Sequence, residues 1–543
     1  MPTFRVRVSR LMKLIGVRLS LNELIDVLFK LKAEAEIEDD YLVVEVGPDR
    51  LDMMSSIKLA KAIRWFLGIE EPSPNYVTEP SGVIVEVREV PSRPYIVAAV
   101  VEDVVIDGDL LEELIQLQEK LHVTYGRGRR KVAIGLHDLS KLPCRKIRYE
   151  EVDLSTKMIP LFVGKEMTVK EVLEVTEQGQ KYGKISLRGN KHPAVIACND
   201  IIALPPVINS EITRLEVGSK GLFIDVTGTD WKAINDVLNI LVTTLADEGG
   251  KVRTVRLTGV INAEVPNLKC QEMSLSPNYV NEVLGTSLTI NDIAKALRRL
   301  GHGVEVGSTD LIVKIPPYRL DILHPIDLVE DVAVGIGYDE LGIEELSIGR
   351  PTELSRRGKL VKNLRELLVG HGFIEVHTFT LTDEEVLKLL GYEEGSYVKL
   401  RNPISMELNV LKNTHLATLL LVLRKSQHAA LPVKIFEIGN VVVKKEGPTG
   451  WGNELRLGMA LMDSEVSFEE LQAPLFSVMR LLGFEIKTEP SEHPALIDGR
   501  CARVIINGKN VGYIGEVKPE VLIKLGIEYP VVVTEVSIDK LLT

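Results

Sequence analysis

The chain has 543 residues, too many for one hydrophobic core, and a typical domain of roughly 100 to 200 residues predicts about three to five domains. Its 45% hydrophobic and 26% charged residues exclude extensive disorder, while a net charge of −12 excludes a protein coated in nucleic acid but allows a local basic face. The most apolar stretch, 416–423, is far shorter than a membrane span, and no signal peptide opens the chain. We therefore expect a cytoplasmic protein with no membrane contact.

The four cysteines are too widely spaced to indicate a zinc ribbon or a disulfide framework. They form no C-x-x-C pair. We therefore expect four separate structural thiols, at Cys144, Cys198, Cys270 and Cys501.

The first predicted elements recur later in the chain. A stretch of roughly sixty residues repeats without gaps at the constant offset that separates Gly16 from Gly285. In each copy an N-cap residue with an acid three residues later opens a helix, and the two pairs are Ser20 with Glu23 and Thr289 with Asp292. A strand, a turn containing proline, the tripeptide Arg-Leu-Asp and a final helix follow, the helices at 56–66 and 325–334. We predict two small α+β domains of one design, at 1–78 and 256–348.

The segment between the copies, 79–255, has valine-rich strands at 83–87 and 96–101 and helices at 110–121 and 231–246, which predict a mixed α/β domain. After the second copy, 349–543 contains helices at 355–369 and 468–482 and strands at 373–380, 435–443, 502–506 and 531–536. An antiparallel sheet flanked by helices satisfies this order. The predicted fold class is therefore multidomain α+β.

An acidic cluster lies at the start of the last helix of the second copy. It comprises Asp321, Asp327, Glu330 and Asp331, and the last three share one helical face. Hard cations such as Mg²⁺ take oxygen ligands from a few carboxylates, but acids in a first helical turn also simply complement the helix dipole. The first copy has Lys58, Lys61 and Ala62 at the matching positions, so the shared fold does not require acids there.

Two polar side chains alternate along a predicted strand before the helix at 231–246. Asp225 and Thr227 project to one face of this strand, and Gly228 allows close approach of another backbone. They form one wall of a binding site, or they simply end a strand before a capped helix.

A basic run lies nearby, at Arg127, Arg129, Arg130 and Lys131. It suits phosphate contacts, and a solvated surface with salt bridges to the many acids explains it equally well.

Four stretches give the chain a recognisable family likeness. They are VEVGPDRLDMMSSIKLAKAIR at 44–64; SRPYIVAAVVEDV with LQEKLHVTYGRGRRKVAIGLHDLSK within 92–141; PPYRLDILHPIDLVEDVAVGIGYDEL at 316–341; and IFEIGNVV at 435–442 with HPALIDGRCARVIINGKNVGYIGEV at 493–517. In this order they resemble the beta subunit of phenylalanyl-tRNA synthetase, of the archaeal and eukaryotic cytosolic type.

The resemblance implies an α2β2 assembly in which the alpha subunit charges tRNA(Phe), with ATP as substrate. It implies that 79–255 is a tRNA-editing domain that hydrolyses mischarged Tyr-tRNA(Phe), with a pocket formed by Asp225, Thr227, Asn209 and Ser210. It implies that 256–348 is a B5-like domain that binds Mg²⁺ jointly with the alpha subunit, through Asp321, Asp327, Glu330 and Asp331. The basic run would then contact tRNA.

The last domain, 349–543, resembles a class II synthetase catalytic fold. Glu437 lies in a motif of that fold, but the late G-x-G-x-x-R run that supplies an ATP-binding arginine is missing, so we expect a non-catalytic domain. No ferredoxin-like anticodon-binding domain follows, so anticodon recognition is not expected of this chain. His122 and His137 are expected to be structural. Two alternatives stay open, a stand-alone aminoacyl-tRNA hydrolase and a structural tRNA-binding scaffold with an inactive pocket.

Overall fold

The structure is a computed structural model that describes residues 2–343 and 352–542. Within these ranges the chain forms two compact units, one on each side of the undescribed stretch. The predicted domain boundary between 348 and 349 lies outside the described residues. Among the helices of the two described ranges, none has the length and apolar character needed to cross a membrane.

The N-terminal domain is a three-stranded antiparallel sheet with three helices. Its sheet order is β1-β3-β2. The elements are β1 (Thr3–Arg7), α1 (Val8–Ile15), α2 (Leu21–Lys30), β2 (Ala33–Glu38), β3 (Tyr41–Val46) and α3 (Ser56–Phe66). Ser20 and Glu23 form the predicted capping box, which satisfies backbone donors at the start of α2.

A ten-stranded sheet forms the centre of the first unit, in the order β12-β11-β10-β7-β4-β14-β5-β13-β6 with β15 paired to β14. The short strands β8 and β9 pair with each other outside this sheet. In chain order, the strands and helices of this region are β4 (Glu79–Val87), β5 (Tyr95–Glu102), α4 (Gly108–Val123), β6 (Val132–Asp138), β7 (Lys146–Asp153), β8 (Lys157–Met158), β9 (Met167–Thr168), α5 (Val169–Val175), α6 (Glu177–Tyr182), β10 (Lys191–Ala197), β11 (Asp200–Leu204), β12 (Ile208–Asn209), β13 (Gly221–Gly228), α7 (Trp231–Asp247), β14 (Lys251–Gly259) and β15 (Ala263–Val265). Every residue of β13 is buried, because β5 and β6 flank it and α7 packs against it.

The central sheet extends further along the chain than the sequence predicted. The predicted domain boundary between 255 and 256 falls inside β14, which pairs with β4, β5 and β15. The run Val252–Thr258 continues the strand without a turn residue, so no local signal marks a break there. The boundary is corrected to a point after Val265.

The expectation of four free thiols is also corrected. Cys144 and Cys198 form a disulfide with a Cα–Cα distance of 5.8 Å. Cys144 precedes β7 and Cys198 follows β10, and the antiparallel register of these strands brings the two ends together. The pairing depends on strand order, which the spacing of cysteines does not reveal. Cys270 and Cys501 are free.

The second small domain repeats the design of the first. Its elements are β16 (Gln271–Leu275), α8 (Pro277–Leu284), α9 (Ile290–Arg299), β17 (Gly303–Val306), β18 (Leu311–Ile315) and α10 (Pro325–Ile336). The sheet order β16-β18-β17 matches that of the first domain, and Thr289 and Asp292 form the matching capping box. The two copies of the predicted repeat therefore have the same sheet order and the same capping box.

The two copies pack directly against each other. Trp65 of α3 lies on Gly301, where a Cβ atom would approach the indole ring to 2.6 Å. Lys58, also on α3, is 2% exposed, and its ammonium lies 3.7 Å from the centre of the Tyr318 ring. The same ammonium donates to Asp247 at 2.6 Å, at the end of α7. Lys58 thus joins both copies to the helix that supports β13.

The second unit is a seven-stranded sheet in the order β19-β22-β23-β27-β26-β25-β24, antiparallel except for the β19–β22 pair. Helices cover both faces, and the sheet separates two apolar cores. The elements are α11 (Arg356–Gly370), β19 (Ile374–Glu375), β20 (Leu381–Thr382), α12 (Glu384–Leu389), β21 (Val410–Leu411), α13 (His415–Lys425), β22 (Val433–Lys444), β23 (Trp451–Met462), α14 (Phe468–Leu481), β24 (Ile486–Pro490), β25 (Leu496–Ile506), β26 (Lys509–Val517), α15 (Pro519–Leu525), β27 (Val531–Ser537) and α16 (Asp539–Leu542). The predicted strand at 373–380 shrinks to β19, because the chain then leaves the sheet and Thr378 contacts Glu437.

We predict that Lys58→Met destabilises the first unit by about 3 to 5 kcal/mol, because Asp247 is then left buried without its cation. The measurement is the unfolding midpoint in urea, compared with the wild type. Lys61→Met is the matched control on the same helix, since Lys61 pairs with the partly exposed Glu70 and should cost less than about 1 kcal/mol. Equal effects of the two substitutions would contradict the role given to Lys58.

Candidate functional site

A cavity of about 530 Å³ lies beside the end of the central sheet, a volume typical of small-molecule sites. It is lined by residues of α4 and β6, by the segments 161–167, 175–178 and 203–209, and by Arg214, Leu215 and Asp225. Apolar residues make up more than half of the lining, and the rest is mostly polar or charged. This is the arrangement expected of a pocket that holds an apolar group in one orientation.

Asp225 is the buried carboxylate of this cavity. It lies on β13 opposite Gly135 of β6, where a Cβ atom would come within 2.0 Å of its Oδ2 atom. His137 Nε2 is 2.8 Å from that same oxygen, and His137 Nδ1 is 2.7 Å from the Thr213 hydroxyl. All three side chains are almost fully buried. Glycine at 135 therefore makes room for a carboxylate that a buried histidine holds in place.

His137 was expected to be structural, and it is the direct partner of the candidate pocket carboxylate. A signal was available in the sequence, since Gly135 and His137 alternate on β6 just as Asp225 and Thr227 alternate on β13. Only the pairing of the two strands brings them together. His122 has a local role, because its Nε2 accepts from the Ile134 amide at 2.8 Å.

Of the other predicted pocket residues, one lines the cavity and two lie beside it. Asn209 is in the lining, and its amide donates to the Leu136 carbonyl at 3.1 Å. The Ser210 hydroxyl donates to the Ile159 carbonyl at 2.9 Å. The Thr227 hydroxyl accepts from Arg93 Nε at 2.8 Å, and burial lowers the pKa of Arg93 to about 10. Thr227 thus faces a buried arginine and not the cavity.

The basic run is divided between two environments. Arg127 and Arg130 are exposed, and Lys131 pairs with Asp230 at 3.2 Å. Arg129 turns inward and lines the cavity, where it donates to Glu119 at 2.5 Å and to the Val207 carbonyl at 3.1 Å. The spacing of these residues in the sequence does not predict which of them turns inward. Their directions depend on the conformation of a tight loop, in which Arg127 and Arg129 both adopt positive φ values.

The acidic cluster lines a second, smaller cavity of about 290 Å³ between the two repeat copies. Its carboxylates already have partners. Arg319 donates at 2.7 Å to both Asp321 and Asp331, and Lys32 of the first copy donates to Glu330 at 2.6 Å. Asp327 accepts from two backbone amides before α10.

These carboxylates do not fit a magnesium ion as they are arranged. Within the described parts of the chain, no three acidic, histidine or cysteine side chains converge on a point that could hold a metal. Arg319 and Lys32 supply the positive charge instead. The magnesium ligands implied by the family resemblance stay a prediction, which requires these ion pairs to open.

The second unit carries a buried polar network around Glu437. Glu437 accepts from Lys412 at 2.8 Å and from the Thr378 hydroxyl at 2.7 Å. Although burial opposes it, His415 and Lys412 lower the pKa of Glu437 to about 2. The carboxylate is therefore satisfied by side chains of its own domain.

Comparisons with known proteins agree with the sequence motifs. Residues 347–538 match the phenylalanyl tRNA synthetase beta chain CLM domain, and residues 273–338 match the tRNA synthetase B5 domain. The chain is 42% identical to the phenylalanine--tRNA ligase beta subunit of Sulfurisphaera tokodaii and 43% identical to that of Aeropyrum pernix, in each case over 100% of this chain and 99% of the relative.

A solved structure supports the same conclusion for the first unit. The crystal structure of an N-terminal fragment of the Pyrococcus horikoshii phenylalanyl-tRNA synthetase beta subunit is 36% identical, with a TM-score of 0.60, and covers 62% of this chain and 99% of the fragment. The chain belongs to the family of phenylalanine--tRNA ligase beta subunits and is thus part of a hetero-oligomeric ligase.

Proposed function

We propose that the first unit proofreads the product of the ligase by hydrolysing Tyr-tRNA(Phe). The single observation that carries this is the Asp225 carboxylate, which His137 holds in place where it lines a cavity with a mainly apolar wall. Phenylalanine and tyrosine differ by one hydroxyl, and a hydrophobic synthetic pocket rejects an added hydroxyl poorly. A second pocket that accepts a hydrogen bond from that hydroxyl recognises the error directly.

The buried acceptor also explains how correct product is spared. When the Nε2–H group of His137 donates a hydrogen bond to Asp225, the carboxylate keeps a further lone pair that can accept a hydrogen bond from the tyrosyl hydroxyl. Phenylalanine in the same place would cover this acceptor without pairing it, and an unpaired buried group costs about 1 to 3 kcal/mol or more. Asn209 and Arg129 add polar groups elsewhere in the lining. Hydrolysis breaks the ester between the tyrosyl carboxyl and the tRNA ribose, and it consumes one water.

The synthetic reaction belongs to the alpha subunit in this proposal. The second unit of the beta chain packs on it in an α2β2 assembly, and the assembled cytoplasmic enzyme uses ATP with Mg²⁺. The internally satisfied Glu437 network and the missing arginine motif support a domain without ATP chemistry. The exposed Arg127 and Arg130 are the candidate tRNA contacts of this chain. The alternative of a stand-alone hydrolase predicts deacylation by the beta chain without alpha.

We predict that Asp225→Asn slows deacylation of Tyr-tRNA(Phe) by the assembled enzyme by about 10- to 150-fold, the value of a hydrogen bond to a charged group. The substitution keeps the shape of the side chain and an oxygen for His137, but it turns an amide toward the tyrosyl hydroxyl. Phenylalanine charging should be unchanged. The measurement is hydrolysis of preformed Tyr-tRNA(Phe) at constant salt.

Thr227→Val is the matched control for Asp225→Asn. It lies on the same strand but faces Arg93, so it should lower stability by about 1.5 to 3 kcal/mol and leave deacylation at the wild-type rate. Deacylation that is unaffected by Asp225→Asn in a folded assembly would rule out Asp225 as the acceptor.

We also predict that the isolated chain forms no phenylalanyl-adenylate. The reason is that Glu437 is already paired with Thr378 and Lys412, and that the late G-x-G-x-x-R run is missing from the sequence. The measurement is phenylalanine-dependent exchange of pyrophosphate into ATP, with and without the alpha subunit. Exchange should appear only after alpha is added, and exchange by the isolated chain would refute the assignment.

A further inference from the structure

An exposed aromatic side chain lies in the lining of the candidate editing cavity. Phe162 is 75% exposed, although its neighbours in the lining are mostly partly or fully buried. It occupies a tight turn in which the Val163 amide donates to the Pro160 carbonyl at 3.2 Å. Its φ of 63° lies in the left-handed region, where glycine is the usual residue. The chain thus keeps a large ring in water at a position that a glycine would occupy with less strain.

The backbone around this ring is firmly held. The Phe162 amide donates to Glu211 at 2.8 Å, and the Leu161 amide donates to the Asn209 carbonyl at 3.0 Å. Asn209 is itself part of the cavity lining. The ring is therefore presented at a fixed place relative to the polar groups of the cavity.

One cation contacts the ring, and a second lines the same cavity. The Arg214 guanidinium lies 4.7 Å from the ring centre, and Lys165 also lines the cavity. Arg214 donates to Glu211 at 3.1 Å and is about two-fifths exposed, so it is oriented but open to solvent. An exposed aromatic face beside cations is the combination that proteins use to bind a base together with its phosphate.

We propose that Phe162 is a stacking platform for the terminal base of the tRNA acceptor end, and that Arg214 and Lys165 receive the adjoining phosphate. The inference rests on the proposed editing function, because an aminoacyl group inside the cavity places its attached nucleotide at the rim. Folding gives no reason for the ring, since its exposure means that it buries little apolar surface. A peptide of a partner subunit is the competing occupant.

The test is binding of an uncharged acceptor-stem minihelix, with and without its terminal nucleotide, to the full chain. Removal of the terminal base should weaken wild-type binding by roughly 5- to 150-fold, as should Phe162→Ala with the complete minihelix. The two changes together should weaken binding no more than either alone, because they remove the same contact. Phe162→Trp should preserve binding, and Phe379→Leu, at another exposed aromatic position, is the matched control.

The salt dependence of minihelix binding distinguishes the contribution of the Phe162 ring from that of the neighbouring cations. Arg214→Gln should reduce the slope of log affinity against log salt by about one, whereas Phe162→Ala should leave that slope unchanged. Additive losses from base removal and Phe162→Ala would overturn the proposal, as would a minihelix that does not bind at all. Loss of alpha-subunit association in Phe162→Ala, with RNA binding intact, would assign the ring to the protein partner instead. Failure of the wild type to deacylate Tyr-tRNA(Phe) would refute editing but leave this binding result readable.

Discussion

The first unit depends on keeping a carboxylate inside a fully buried strand. A charge at that depth is tolerated only when hydrogen bonds satisfy it, and Asp225 obtains its bond from His137 across the β6–β13 pair. Gly135 creates the space, and Thr213 holds the far side of the imidazole. The ladder between two strands therefore fixes the cavity's key polar group, with no freedom for a loop to misplace it.

The internal repeat shows how one fold acquires different chemistry at equivalent positions. Lys58 of the first copy corresponds to Asp327 of the second, yet Lys58 forms a buried ion pair with Asp247, whereas Asp327 caps a helix. Lys32 corresponds to Gly301, and both adopt positive φ. The glycine accepts the Trp65 ring, while the lysine reaches Glu330 of the other copy. The two copies therefore differ where they face each other, and each side of the contact uses a different kind of side chain.

The sequence was sufficient for features with a local cause. The repeat, both capping boxes, α7, and the strands β22 and β27 of the second unit follow from periodicity and caps, whereas β23 and β26 were missed. Features that depend on which strands are neighbours were missed. Cys144 and Cys198 meet only because β7 and β10 pair, and His137 meets Asp225 only because β6 and β13 pair. Thr227 was placed on the correct face of its strand, but Arg93, which is distant in sequence, occupies its hydroxyl.

The contacts of Lys58 with Asp247 and Tyr318 affect folding during synthesis on the ribosome. Two partners of Lys58 belong to segments that emerge long after it, because Asp247 follows Lys58 by 189 positions and Tyr318 comes later still. The first copy and the central sheet can form early, since domains fold in order as they emerge. Until residue 318 has been made, however, one side of the Lys58 ammonium lacks its aromatic cover. In any nascent chain or proteolytic product that ends before the second copy, the region around Lys58 should therefore be the least stable part of the fold.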